Sequence, residues 1–308
     1  MSLTSPADAP RVNDAPITPT PAVPAGKAGT RRDPYAWARY LAIGLALVFA
    51  LFPIWFIVAA AVNPAGNLNT TQWLPNGLSM GNYADLTDAR PFWSWYKNTL
   101  IIAGFGSAFA VFIGVCAAYA FSRLRFIGRR PGLMTLLLIQ MFPSLLTFVA
   151  LLRMFGSLGD VIPQIGFDTA AGLILAYLGG AMGGNVWLLK GYFDTVPKEL
   201  DEAAKVDGAS HARIFFTITL PLITPILVTV GMIQFIGLFN EFLLASVFLR
   251  DVDSQTLGVG LNALLTADRN KYFGAFCMGA VLASAPIVLL YLAFQKQLVG
   301  GLTAGSVK

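Results

Sequence analysis

Glu241 is the side chain in this 308-residue sequence whose setting most invites chemistry. It follows Asn240 inside a long apolar segment, and an intramembrane carboxylate is by default a candidate for function. Two roles fit. It could relay a proton or a sodium ion, as a secondary transporter requires. Alternatively it is a structural group, bonded to a neighbouring helix or facing a translocation cavity. Other reactive constellations are missing. No GxxxxGK[ST] phosphate loop occurs, so the chain has no such device for holding ATP. There is no GxSxG and no HExxH, and a single histidine, His211, gives a Ser/His/Asp triad little material. His211 has no Cys or His companion nearby, which argues against a metal site. Cys116 and Cys277 lie in apolar runs and read as small packed hydrophobes. No catalytic residue and no metal ligand is assigned, and the chain reads as no enzyme.

The second stretch of interest is Lys198-Glu199-Leu200-Asp201-Glu202-Ala203-Ala204-Lys205-Val206-Asp207-Gly208-Ala209, running on through Phe215 and Ile218 to Leu220-Pro221. It is the longest polar interlude in the second half of the chain. Its residue types suit recognition. Pro197 can open a helix, because its missing N–H falls where no intrahelical partner exists. Glu199, Asp201 and Glu202 crowd the first turns, where the helix dipole favours negative charge. Leu200, Ala203, Ala204 and Asp207 recur at helical spacing, so one side is small and nearly smooth. Gly208 tolerates positive φ and suits a turn out of the helix. Ser210 can cap a second helix carrying Ile214, Phe215 and Ile218. The pattern predicts two short helices joined at a glycine, the first able to dock closely into a groove. The plain alternative is a solvated loop between membrane segments.

Both stretches sit in a very apolar chain. Hydrophobic residues make up 56% and charged residues 12%, about half the charge of a soluble domain. Residues 1–34 are rich in Pro, Ala, Thr and Asp, lack apolar periodicity, and read as a disordered tail. A signal peptide is the competing reading, helped by Ala59-Ala60-Ala61. It fails because the run Tyr40–Val62 is too long for an h-region and the tail before it too long for an n-region. At about 1.5 Å per residue that run reaches about 33 Å, enough to cross a bilayer. Five more spans are expected, at about Asn98–Phe121, Gly132–Phe155, Ala170–Gly191, Leu220–Phe248 and Phe273–Phe294. The expected fold class is all-α, a polytopic membrane protein with six transmembrane helices. Pro53, Pro143, Pro225 and Pro286 lie inside these spans, where neighbouring helices or water satisfy the freed carbonyls. Gly104, Gly106, Gly114, Gly179, Gly180, Gly183 and Gly184 permit close helix contact.

Charge sets the orientation. Arg11, Lys27, Arg31, Arg32, Arg39, Arg123, Arg125, Arg129, Arg130, Lys190, Lys198, Lys205, Arg213, Lys296 and Lys308 fall on one side. Arg90, Lys97, Arg153, Arg250, Arg269 and Lys271 fall on the other. The positive-inside rule then puts both termini and the Lys198–Ala209 stretch in the cytoplasm. The net charge of +5 is spread between apolar spans rather than over one face, which disfavours nucleic acid. Outside, Asn63–Lys97 holds Trp73, Tyr83, Trp93, Trp95 and Tyr96, which suit a membrane interface. Sugar stacking on them is the less favoured reading. Arg250–Tyr272 is the other substantial external segment.

The order Glu202-Ala203-Ala204, Asp207-Gly208-Ala209 and Ile218-x-Leu220-Pro221 resembles the EAA loop of binding-protein-dependent ABC importer permeases. Gln140-Met141-Phe142-Pro143, Ala176-Tyr177-Leu178-Gly179-Gly180 and Trp187-Leu188-Leu189-Lys190-Gly191-Tyr192-Phe193 resemble the smaller permease of maltose/maltodextrin importers, the MalG type. So do Leu249-Arg250-Asp251-Val252-Asp253-Ser254 and the ending Gly301–Lys308. The similarity covers roughly residues 36–308.

The resemblance implies a MetI-like permease fold over residues 35–308, in the inner membrane of a bacterium or archaeon. Its coupling loop lies at about 192–219 and its carboxyl tail at 296–308. It implies a second, larger permease, an ATPase homodimer that binds ATP and Mg, and an extracytoplasmic sugar-binding protein. No cofactor is held by this chain. Glu202, Ala203, Ala204, Asp207, Gly208 and Ala209 take the coupling role. Ser254, Gly258, Gly260 and Asn262 belong to an external loop that helps dislodge sugar from the binding protein. Gly301, Thr303 and Gly305 contact the ATPase. Many such permeases carry Asn-Glu or Asn-Asp at the place of Asn240-Glu241, which favours a structural role there. Relatives also carry other oligosaccharides and glycerol phosphates.

Overall fold

The structure, a computed structural model, describes residues 35–303 apart from residue 72. The amino-terminal tail expected at 1–34 lies outside the described residues. All regular secondary structure among the described residues is helical.

Helix α1 spans Ala36–Val62 and is divided between two compact units, residues 1–49 and 50–308. In the first, Tyr40, Leu45, Val48 and Phe49 are exposed apolar side chains, the surface expected of a helix solvated by lipid. Pro53 lies inside α1, as expected.

The second unit holds α2 (Gly81–Thr87), α3 (Phe92–Arg123), α4 (Arg129–Gln140), α5 (Ser144–Val161), α6 (Ala170–Thr195), α7 (Lys198–Val206) and α8 (His211–Ile214). A π-helical turn, Phe215–Thr219, leads to α9 (Leu220–Leu222). Then come α10 (Thr224–Phe239), α11 (Leu243–Phe248), α12 (Leu257–Asp268) and α13 (Phe273–Thr303). Helix α3 is the spine. It packs along α6 and α10 and touches α12, while α13 packs on α10, α12 and α2. Three apolar cores follow. One gathers Leu86, Phe92, Trp95, Leu257, Leu264 and Cys277 at one end of α3. A second gathers Val115, Tyr119, Phe193, Phe215 and Ile226 at its other end. The third joins Ile102, Phe155, Leu173 and Phe248.

Alone, α1, α3 and α13 are each long and apolar enough to cross a membrane. Two bent pairs bring the number to five: α6, turned by 58° between Gly180 and Gly183, and His211–Leu222 with Thr224–Phe239, turned by 79°. Several expected spans are thus interrupted. The segment expected at 132–155 is two helices, α4 and α5, separated at Met141–Pro143. Proline has no N–H to give and disfavours helical backbone in the residue before it, so Pro143 stands at the N-cap of α5. Pro225 likewise stands in the first turn of α10, just after the bend. The segment expected at 220–248 breaks again at Asn240–Phe242. Pro286 does lie inside a helix, α13.

Candidate functional site

Helix α7 forms as its residue order dictates. Pro197 occupies its N-cap with extended ψ of 132°, Glu199 and Asp201 lie in its first turn, and Lys205 in its last. The end is a left-handed stop. Gly208 has φ +79° and donates its N–H to the Lys205 carbonyl at 3.0 Å, while Ala209 donates to Ala204 at 2.9 Å. That pairing is the Schellman arrangement, which satisfies orphan carbonyls and needs a residue tolerant of positive φ. Ser210 Oγ accepts from the Arg213 N–H at 3.3 Å and caps α8. The expected pair of short helices hinged at glycine is therefore present.

The smooth side expected of α7 is divided. Ala204 is buried, whereas Leu200, Glu202, Ala203, Val206 and Asp207 are exposed. Val206 is 88% exposed. The exposed face of α7 thus interleaves apolar and small side chains with charge. Beside it is a cleft of about 670 Å³ lined by Arg125, Phe126, Lys198, Glu202, Lys205 and His211.

Asp201 is the buried anchor of α7. Its Oδ2 lies 2.9 Å from Arg123 Nε, at the end of α3. The Thr219 hydroxyl, on the π-helical turn, donates to Oδ1 at 3.1 Å. Arg123 also donates through Nη2 to the Val196 carbonyl at 2.6 Å. Asp194 forms a second junction, accepting from Ser122 Oγ at 2.6 Å and from Lys190 Nζ at 2.5 Å. Lys190 thus pairs one turn along its own helix. A signal for Asp201 was available: it shares its face of α7 with Ala204, three residues on.

At the opposite end of α3 the segment expected to be an external loop is largely structured. Helix α12 occupies 257–268, with Leu257, Val259, Gly260, Leu261 and Leu264 buried. Trp95 Nε1 donates to the Val252 carbonyl at 2.7 Å. Asn98 donates to the carbonyls of Asp253 at 2.8 Å and Gln255 at 3.1 Å. Thr99 Oγ1 accepts the Leu257 N–H at 2.7 Å. Trp95, expected at the membrane interface, is only 3% exposed. A Cβ on Gly260 would come within 2.3 Å of its indole. Gly260 therefore serves close contact with Trp95, not approach to a sugar. Gly258, in contrast, is exposed with open space around it. Ser254 belongs to a cluster around Asp168, a non-glycine residue at φ 59°. Asp168 Oδ1 accepts the N–H of Arg250 at 2.5 Å and of Asp251 at 2.7 Å, and the Ser254 hydroxyl at 3.3 Å.

Glu241 is fully engaged. The Tyr177 phenol donates to Oε2. The Leu244 N–H reaches Oε1 at 2.8 Å and the Ala245 N–H reaches Oε2 at 3.1 Å. The carboxylate thus caps α11 and ties it to α6. Its neighbour Asn240 faces elsewhere. With Gly258, Asn262, Phe276 and Ser284 it lines a cleft of about 470 Å³ between α10, α12 and α13. The sequence reading placed Asn240 and Asn262 in separate sites; the fold brings them to one. Gly301 and Thr303 end α13, and Gly305 lies outside the described residues.

The chain is a helical membrane protein with an exposed, charged short helix at one end of a spine and an anchored segment at the other. Its family follows from comparison. Residues 110–303 match the family described as "Binding-protein-dependent transport system inner membrane component", and the chain belongs to that family. It is similar to the maltose/maltodextrin transport system permease protein MalG of Vibrio vulnificus, at 39% identity over 88% of this chain and 95% of the relative. The same protein of Escherichia coli K12 is 38% identical over 87% and 94%. Among solved structures, a bacterial ABC transporter involved in the import of the acidic polysaccharide alginate matches 85% of this chain and 95% of its own. The TM-score is 0.72 at 23% identity, a likeness of fold.

Proposed function

We propose that this chain is the permease subunit forming half of the translocation pathway of an ATP-driven importer for maltose, maltodextrins or a related oligosaccharide. The observation that carries the substrate is the 38–40% identity, over most of the chain, to maltose/maltodextrin permeases. The other half of the pathway is a second, larger permease. An ATPase homodimer that holds ATP and Mg sits on the cytoplasmic side, and a sugar-binding protein sits outside. Both termini and α7 face the cytoplasm, in keeping with the clustering of Arg and Lys on that side.

In this reading the exposed face of α7, with Leu200, Glu202, Ala203 and Val206, docks in a cleft of the ATPase. Glu202 meets a basic group there, because a carboxylate desolvated on docking needs a partner. ATP-driven closure of the ATPase displaces α7 and turns the cavity outward. The binding protein then delivers sugar past the segment anchored by Asp168, and the cleft holding Asn240 and Asn262 offers uncharged hydrogen-bonding groups to its hydroxyls. The end of α13 adds a second contact to the ATPase.

Purification of the chain from its native membrane tests this assembly. A phosphate-loop ATPase, a second permease and maltose-stimulated ATP hydrolysis in the presence of binding protein are expected. Purification as a chain with no ATPase would overturn it.

A further inference from the structure

Arg123 and Asp201 form a buried ion pair between α3 and α7, with side chains 5% and 6% exposed. The fit is imperfect. Arg123 Nε lies close to Asp201 but off the line of a hydrogen bond, and Nη1 has no partner among the described residues. Apolar side chains would join two helices at least as well as such a pair. What the pair adds is resistance to separation, since pulling α7 from α3 leaves opposite charges buried and alone. Thr219 binds the π-helical turn to the same carboxylate, and Val196 binds the end of α6 to the same guanidinium. Helix α3 then runs without proline or break from Arg123 back to Phe92. At about 1.5 Å per residue, Trp95 lies about 42 Å from Arg123. Trp95, Asn98 and Thr99 there hold the carbonyls and N–H groups of Val252–Leu257.

We infer that Arg123 and Asp201 are positioning residues that make α7 and α3 move as one body. Displacement of α7 is delivered along α3 to the segment Val252–Leu257 at the far end. This rests on the importer reading and adds a specific linkage to it.

Two measurements on the complete reconstituted complex test it. Spin labels at Arg125 and Lys205, both exposed, are introduced with Cys116 and Cys277 replaced. Their separation should be the same in the nucleotide-free and ATP-trapped states; a shifted distance peak overturns the inference. The second measurement compares Asp201→Asn, Arg123→Gln and the apolar pair Arg123→Met with Asp201→Leu. In all three, sugar moved per ATP should fall about tenfold or more with the ATPase still bound. The apolar pair guards against simple misfolding, because it can restore the contact without charge. If it keeps the unaltered chain's thermal stability and also its ratio of sugar to ATP, the charges only hold the fold and the inference fails. Failure of the unaltered chain to retain an ATPase counts against the importer reading and removes this inference with it.

Discussion

The Tyr177 phenol on α6 donates to the carboxylate of Glu241 at the start of α11. The same carboxylate accepts two backbone N–H groups from α11. Each of its oxygens thus has a donor, and the group acts as a cap and a strut.

That arrangement sets the outcome of Glu241→Gln. The amide keeps one acceptor and loses the charge, so stability should fall by about 1 kcal/mol, read as a lowered Tm of the complex. Uptake should continue and stay dependent on ATP. A proton or sodium relay at this position would instead make uptake collapse, and an imposed ion gradient would drive transport through the unaltered chain.

Gly208 is set by backbone and not by space, since a Cβ there would meet nothing within 4 Å. Gly208→Ala should cost about 1–2 kcal/mol, the penalty for an L-residue in left-handed backbone, and Gly208→Asn less. Gly208→Leu should lower transport sharply while the chain still inserts. The check is membrane abundance alongside retention of the ATPase and uptake.

Gly258 and Gly260 should behave oppositely. Gly258→Ala points into open space and should change the stability of the complex by no more than about 0.5 kcal/mol. Gly260→Ala places a methyl against the Trp95 indole and should cost about 1–3 kcal/mol by overpacking. Thermal unfolding of the two variants side by side decides it.

Asp168→Ala should free the segment beyond α11, because three donors lose their acceptor together. Asp168→Asn retains an oxygen and tolerates the positive φ, so it should be milder. Limited proteolysis between Arg250 and Thr256 is the readout, with faster cleavage expected for alanine than for asparagine.

Local rules exposed much of this in the sequence. Pro197, Ser210 and Gly208 sit at helix ends because capping depends on near neighbours, so α7 and its stop were legible. Pro143 was legible as a proline but not as a break, since whether neighbours satisfy the freed carbonyls is a tertiary matter. Trp95 and Gly260 read as an interfacial aromatic and a ligand-facing glycine because each was taken alone. Their mutual contact joins residues 165 positions apart. The same holds for Arg123 with Asp201 and for Asn240 with Asn262, which no spacing rule connects.

Sugar uptake by proteoliposomes tests the central claim most directly. They carry this chain with its companion permease and ATPase, and receive labelled maltose, binding protein and ATP. The account predicts accumulation that requires ATP and binding protein together and is competed by maltodextrins. Accumulation without ATP, driven by an ion gradient, would contradict it.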